Sequence, residues 1–179
     1  MKKIFLVTII FLAVFICGIS ISSANRETGK EFGIVIISGA EFKTSDYYKI
    51  ISKTFKLPNG YVIGDEMQSK YQKFLLENDL IGEKLPRKNY LLDFTAQSGC
   101  ERILFLVVTS TADHQNNSKS RQKNRISVQV DAYLCDRYKI LEGATSAQQN
   151  DSNTSDLRAR RGSFKKCLTE IAKYIKLSA

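Results

Sequence analysis

Arg125–Ala147 reads RISVQVDAYLCDRYKILEGATSA. Ile126, Val128, Val130, Ala132 and Leu134 alternate with Ser127, Gln129, Asp131 and Tyr133. A period of two over nine residues marks a strand with one buried face. Asp136-Arg137-Tyr138 breaks the pattern as a turn would, and Lys139-Ile140-Leu141 resumes it, so the stretch predicts a β-hairpin. Upstream, Ile103–Val108 is a continuous apolar run, as expected of a strand covered on both faces. The rest of the chain reads as helices laid on this sheet.

Working outward, Phe32–Ile37 is a short, β-branched buried strand, and Tyr61-Val62-Ile63 is a second. Between them Tyr47, Ile50, Ile51 and Phe55 fall at helical spacing with lysines interspersed, behind a capping run Thr44-Ser45-Asp46. Met67, Tyr71, Phe74 and Leu75 predict a second helix, and Tyr90, Leu91 and Phe94 a third. Gly99 suits the left-handed residue that ends the third. Leu157, Phe164, Cys167, Leu168, Ile171, Ala172 and Ile175 form the stripe of a last helix capped by Thr154 or Ser155. Gly162 inside it costs about 1 kcal/mol relative to Ala, which close packing on the sheet would explain. Two polar stretches, Thr109–Arg125 and Gln148–Thr154, show no apolar period and read as exposed connections. The expected fold is a single α/β domain over residues 32–177, a mixed sheet in the order β-α-β-α-(α)-β-β-β-α with helices packed on it.

The first residues carry an address. Lys2-Lys3 precede an apolar run, Ile4–Ile21, and a small-residue site, Ser22-Ser23-Ala24. This is the pattern of a secretory signal peptide, residues 1–24, cleaved after Ala24, with 25–31 as a polar leader. The alternatives are an uncleaved anchor, since the run is just long enough to span a bilayer, and a lipid on Cys17. Against the latter, Ile16 stands where a lipobox has Gly, Ala or Ser. Without Lys2 and Lys3 the formal charge falls from +9 to +7. For an exported chain the matching partners are lipid headgroups, anionic envelope polymer or an acidic protein face, rather than nucleic acid. A basic surface that only solvates is the competing explanation.

Little in the chain points to chemistry. His114 is the one histidine and sits beside Asp113 in a polar stretch, with no nucleophile placed next to it. Asp65-Glu66 fit first-turn acids at a helix start, and Asp131 and Asp136 lie on opposite strand faces. The glycines match no phosphate-cradling loop, and one histidine leaves zinc short of ligands. Cys100, Cys135 and Cys167 are expected as buried free thiols; one disulfide, with Cys135 and Cys167 meeting across the sheet edge, is the alternative. No catalysis and no cofactor are expected. The candidate partner-binding residues are two basic clusters: Lys119, Arg121, Lys123 and Arg125, and Arg158, Arg160 and Arg161 with Lys165 and Lys166 on the last helix.

Taken together, the order of elements, the Ser98-Gly99-Cys100 entry to the apolar strand, the run Val130-Asp131-Ala132-Tyr133-Leu134-Cys135-Asp136 and the closing amphipathic helix resemble a group of periplasmic α/β domains. These are the domains of the curli secretion channel CsgG, the TolB amino-terminal domain and the outer-membrane lipoprotein activators of penicillin-binding proteins. Arg137-Tyr138-Lys139 departs from the group's glycine-containing turn. The resemblance spans about residues 32–176 and implies an envelope domain that binds an envelope protein partner or assembles, without catalysis.

Overall fold

A computed structural model describes residues 32–39, 45–57, 61–81, 87–114 and 124–177. The elements follow the expected order: β1 (Phe32–Ser38), α1 (Ser45–Phe55), β2 (Tyr61–Ile63), α2 (Asp65–Glu77), α3 (Lys88–Ser98), β3 (Arg102–His114), β4 (Asn124–Asp136), β5 (Ile140–Ser152) and α4 (Asp156–Ile171). The five strands form one sheet in the order β2-β1-β3-β4-β5. β1 pairs parallel with both β2 and β3, because a helix intervenes each time. β3, β4 and β5 form an antiparallel meander.

Helices cover both faces, so the fold has three layers and two cores. On one face Tyr47 and Ile51 of α1 and Phe164, Cys167, Leu168 and Ile171 of α4 pack on Ile34, Ile36, Leu104, Leu106 and the apolar set of β4. That set is Ile126, Val128, Val130, Ala132 and Leu134, all buried as the alternation requires. On the other face Met67, Tyr71 and Phe74 of α2 and Leu91 and Phe94 of α3 pack on Val35, Ile103, Phe105 and Cys135. Phe94 is central there, edge-on to Tyr71 at 5.1 Å and to Phe74 at 5.4 Å between ring centroids.

Local signals hold where the chemistry is local. Gly99 caps α3 at φ 81° in the left-handed region. Ser155 caps α4, its hydroxyl accepting from the Arg158 N–H at 3.2 Å. Asp65 and Glu66 are first-turn acids of α2. Asp136 makes the β4–β5 turn, its carboxylate accepting from the Tyr138 and Lys139 N–H groups at 2.7 Å each. Gly162 does lie in close packing: a Cβ there would overlap the Asn150 amide on β5.

Three expectations are corrected. Thr109–His114 is strand rather than loop, paired through Thr109↔Gln129 to His114↔Asn124, and Arg125 lies in β4. Gln148–Ser152 is likewise strand, the far end of β5. Both were illegible because one sheet face is uncovered there, so no apolar alternation is needed to hold a backbone ladder that is already paired. Leu157, placed on the buried stripe of α4, is 40% exposed, whereas Ala159 in the same turn is fully buried.

Candidate functional site

The long meander outruns its helices. α2 and α3 pack on the second face at Phe105 and Cys135, and Val107 is the last buried residue of β3 on that face. Beyond them Thr109, Thr111, Gln129, Thr145, Ala147 and Gln149 are exposed on an open polar sheet face. Pairing across β3, β4 and β5 places them side by side: Thr109↔Gln129, Gln129↔Ala147 and Asp131↔Thr145. Asp131 fixes part of this surface, accepting from Thr145 Oγ1 at 2.8 Å and from Gln129 Nε2 at 3.2 Å. A shallow depression of about 160 Å³ lies between Thr109, Thr111, Ser127, Gln129 and Ala147.

β5 also forms the sheet edge, with a strand on one side only over thirteen residues. Lys166 of α4 reaches over one point of it, donating from Nζ to the Gln149 carbonyl and to Asn150 Oδ1, both at 3.0 Å.

Of the basic residues expected to bind a partner, Arg125, Arg158, Arg160, Arg161, Lys165 and Lys166 are described. Lys119, Arg121 and Lys123 lie outside the described residues. Arg125 is paired with Asp151 across the β4–β5 ladder, Nε to Oδ1 at 3.2 Å. Arg158 is exposed at the start of α4, while Arg160 and Arg161 are half-buried. A set of lysines that shares only Lys165 with those clusters converges. Lys49 and Lys53 of α1 face Lys165 of α4 and Lys173 and Lys176 just past its end, around a groove of about 700 Å³. Lysines were visible in both helices, but only the docking of α1 beside α4 on one sheet face brings them together.

The thiols occupy different cores. Cys135 packs with Cys100 on the α2/α3 face, and Cys167 packs on the α1/α4 face, so the sheet separates Cys135 from Cys167. All three are buried, and among the described residues none is in a disulfide. Burial, with a smaller contribution from Asp136, pushes the Cys135 thiol up to about 12. Cys167 is also raised by burial, and its Sγ–H donates to the Val128 carbonyl at 3.2 Å. Among the described residues no three His, Cys, Asp or Glu side chains gather as a metal site needs, and no helix is long and apolar enough to cross a membrane. His114 is placed at the end of β3. The signal segment, Ala24 and Cys17 lie outside the described residues.

No protein-family model matches the sequence, and no curated protein matches it. Solved structures similar in fold include the hypothetical protein CT253 from Chlamydia trachomatis, at TM-score 0.46 and 11% identity over 80% of this chain and 94% of that one. Lipoprotein GNA1162 from Neisseria meningitidis is similar at TM-score 0.44 and 14% identity over 80% and 98%. The LpoB C-terminal domain from Salmonella enterica is similar at TM-score 0.34 and 11% identity over 66% and 82%.

Proposed function

We propose that this chain is an exported, non-catalytic domain of the cell envelope, of the CsgG, TolB amino-terminal or penicillin-binding-protein-activator type, that works by protein–protein contact. Its partner docks along β5 and on the open face beside it. The observation that carries this reading is the thirteen-residue edge strand itself. Strands average about five or six residues, and long edges are usually shortened, charged or covered. Here, among the described residues, Lys166 reaches the edge at Gln149 and the Lys176 N–H meets Glu142, and no strand pairs on the outer side. An extended partner segment can add a strand there, with main-chain bonds for affinity. Thr145, Ala147 and Gln149 beside it then supply the specificity. The leader sequence brings the domain to the compartment where such a partner resides.

The test is photo-crosslinking in the producing cell. A crosslinker at Ala147 is expected to trap a defined envelope protein, and to keep doing so after washing at high salt, whereas one at Lys70 on α2 traps none. Equal products from both positions, or loss of the Ala147 product at moderate salt, would exclude this mode. Sequencing the mature amino terminus in the same material checks the export step, with Asn25 expected first.

A further inference from the structure

The groove between α1 and α4 has the composition of a site for an anionic lipid. Its walls are Lys49 and Lys53, one helical turn apart on α1, and Lys165, Lys173 and Lys176 opposite them. Its floor is apolar, formed by Ile50 and the Ala172 methyl. The two threonines in the lining do not offer their hydroxyl protons outward: Thr54 donates to the Ile50 carbonyl and Thr169 to the Lys165 carbonyl. Two of the five ammonium groups are held within the chain, Lys173 by Glu170 at 2.7 Å and Lys176 by the Ala172 carbonyl at 3.0 Å. The ammonium groups of Lys49, Lys53 and Lys165 have no ion-pair partner among the described residues. Among the described residues five cations therefore face two local carboxylates, Glu170 and Glu142, the latter accepting from the Lys176 N–H at 3.3 Å.

Both helices lie on the same face of the sheet, so the ammonium groups ring a broad, open surface rather than a closed pocket. Tyr174, adjacent in sequence to Lys173, is 70% exposed. Lysines on long stems beside an exposed tyrosine are the side chains found where proteins meet a bilayer interface. A polyanionic sugar chain would use the lysines but not the apolar floor. An anionic phospholipid uses both, with phosphate between the ammonium groups and its first chain methylenes over Ile50 and Ala172. We infer that the α1/α4 groove seats the headgroup of an anionic phospholipid at a membrane surface. This site meets β5 only at its start, where the Lys176 N–H donates to Glu142, and it does not depend on a partner docking along the rest of that strand.

Co-sedimentation of the full chain with vesicles tests it, using phosphatidylcholine alone and phosphatidylcholine mixed with phosphatidylglycerol. An apolar leader, where retained, partitions into both, so the readout is the difference between the two compositions. Wild-type chain is expected to prefer the anionic vesicles. Each neutralised lysine near an anionic surface should cost about fivefold, so Lys49→Gln/Lys53→Gln/Lys165→Gln should cost about a hundredfold of that preference. A control of equal charge change on the opposite layer, Lys70→Gln/Lys73→Gln/Lys88→Gln, should keep it within about twofold. Should the triple variant lose its fold by circular dichroism, the three single variants, each expected to lose about fivefold, decide the matter. Equal losses in both triples, or no preference in the wild type, overturn the inference. So does a poly-glutamate peptide that binds the groove as tightly as the vesicles do, which would make the occupant an acidic protein segment.

Discussion

Gly162 of α4 lies against Asn150 of β5: a methyl group at 162 would overlap the Asn150 Nδ2 and come within 2.9 Å of its Cγ. The Asn150 amide is itself held, since Lys166 donates to its Oδ1 at 3.0 Å. Helix propensity favours Ala over Gly by about 1 kcal/mol, so Gly162→Ala sets that gain against displacing Asn150. The expected outcome is a coupling between the sites. Gly162→Ala alone is destabilising, and in an Asn150→Ala background it becomes stabilising, a difference of about 1–2 kcal/mol across the cycle. Denaturant unfolding of the four proteins measures it.

Asp136 makes the turn that registers β4 against β5, through its bonds to the Tyr138 and Lys139 N–H groups. Burial pulls its pKa upward, but those two bonds, with the nearby Lys139 and Arg102 charges, outweigh it and leave the carboxyl below its usual value. Its contribution is therefore present above the unfolded value of about 3.9 and fades as pH falls through the folded one. Asp136→Ala should cost about 1–2 kcal/mol at neutral pH and show a shallower loss of stability below pH 4 than the wild type. Chemical denaturation as a function of pH reads both.

The buried thiols should be chemically silent in the folded protein. Cys135 is raised to about 12, so at pH 8 it holds almost no thiolate. Its raised pKa works in the folded state's favour below the unfolded value of about 8.5, and that benefit is lost as pH rises beyond it. Iodoacetamide at pH 8 is expected to leave Cys100, Cys135 and Cys167 unmodified until denaturant unfolds the chain, with mass spectrometry assigning each site. Rapid alkylation of Cys135 alone would contradict its placement under α3.

Ser163 ties α4 to the sheet. It is fully buried, and its hydroxyl donates to the Ile126 carbonyl at 2.7 Å, with the Ala159 carbonyl at 3.2 Å. Ser163→Ala should cost about 1–2 kcal/mol, because a short buried bond between two elements is lost without relief of strain. Ser163→Val should cost more, since the added methyl has to enter the tight α4–β4 contact. Thermal unfolding compares the two.

Much of this was legible because the governing interactions run over a few residues. The alternation of Ile126 to Leu134, the Asp136 turn, the Gly99 terminus and the Ser155 cap each need only neighbours in the chain. Gly162 was visible as a cost without its cause, since Asn150 approaches from another element. The strand ends at Thr109–His114 and Gln148–Ser152 gave no sign, because residues on an uncovered sheet carry no apolar code. Exposure within the basic cluster of α4 was not legible either. Proximity in sequence gathered Arg158, Arg160 and Arg161, yet α4 turns Arg160 and Arg161 partly inward and leaves Arg158 outside.

The sequence by itself determined the order of elements, the mixed sheet and which residues of β4 face a core, since hydrophobic period and turn chemistry act locally. Only the tertiary structure decided that β5 forms the sheet edge, that Cys135 and Cys167 lie on opposite sides of the sheet, and that Lys49, Lys53 and Lys165 meet across one groove. Those facts depend on which helix packs on which face, and that is set by long-range burial of apolar surface, which no local pattern encodes.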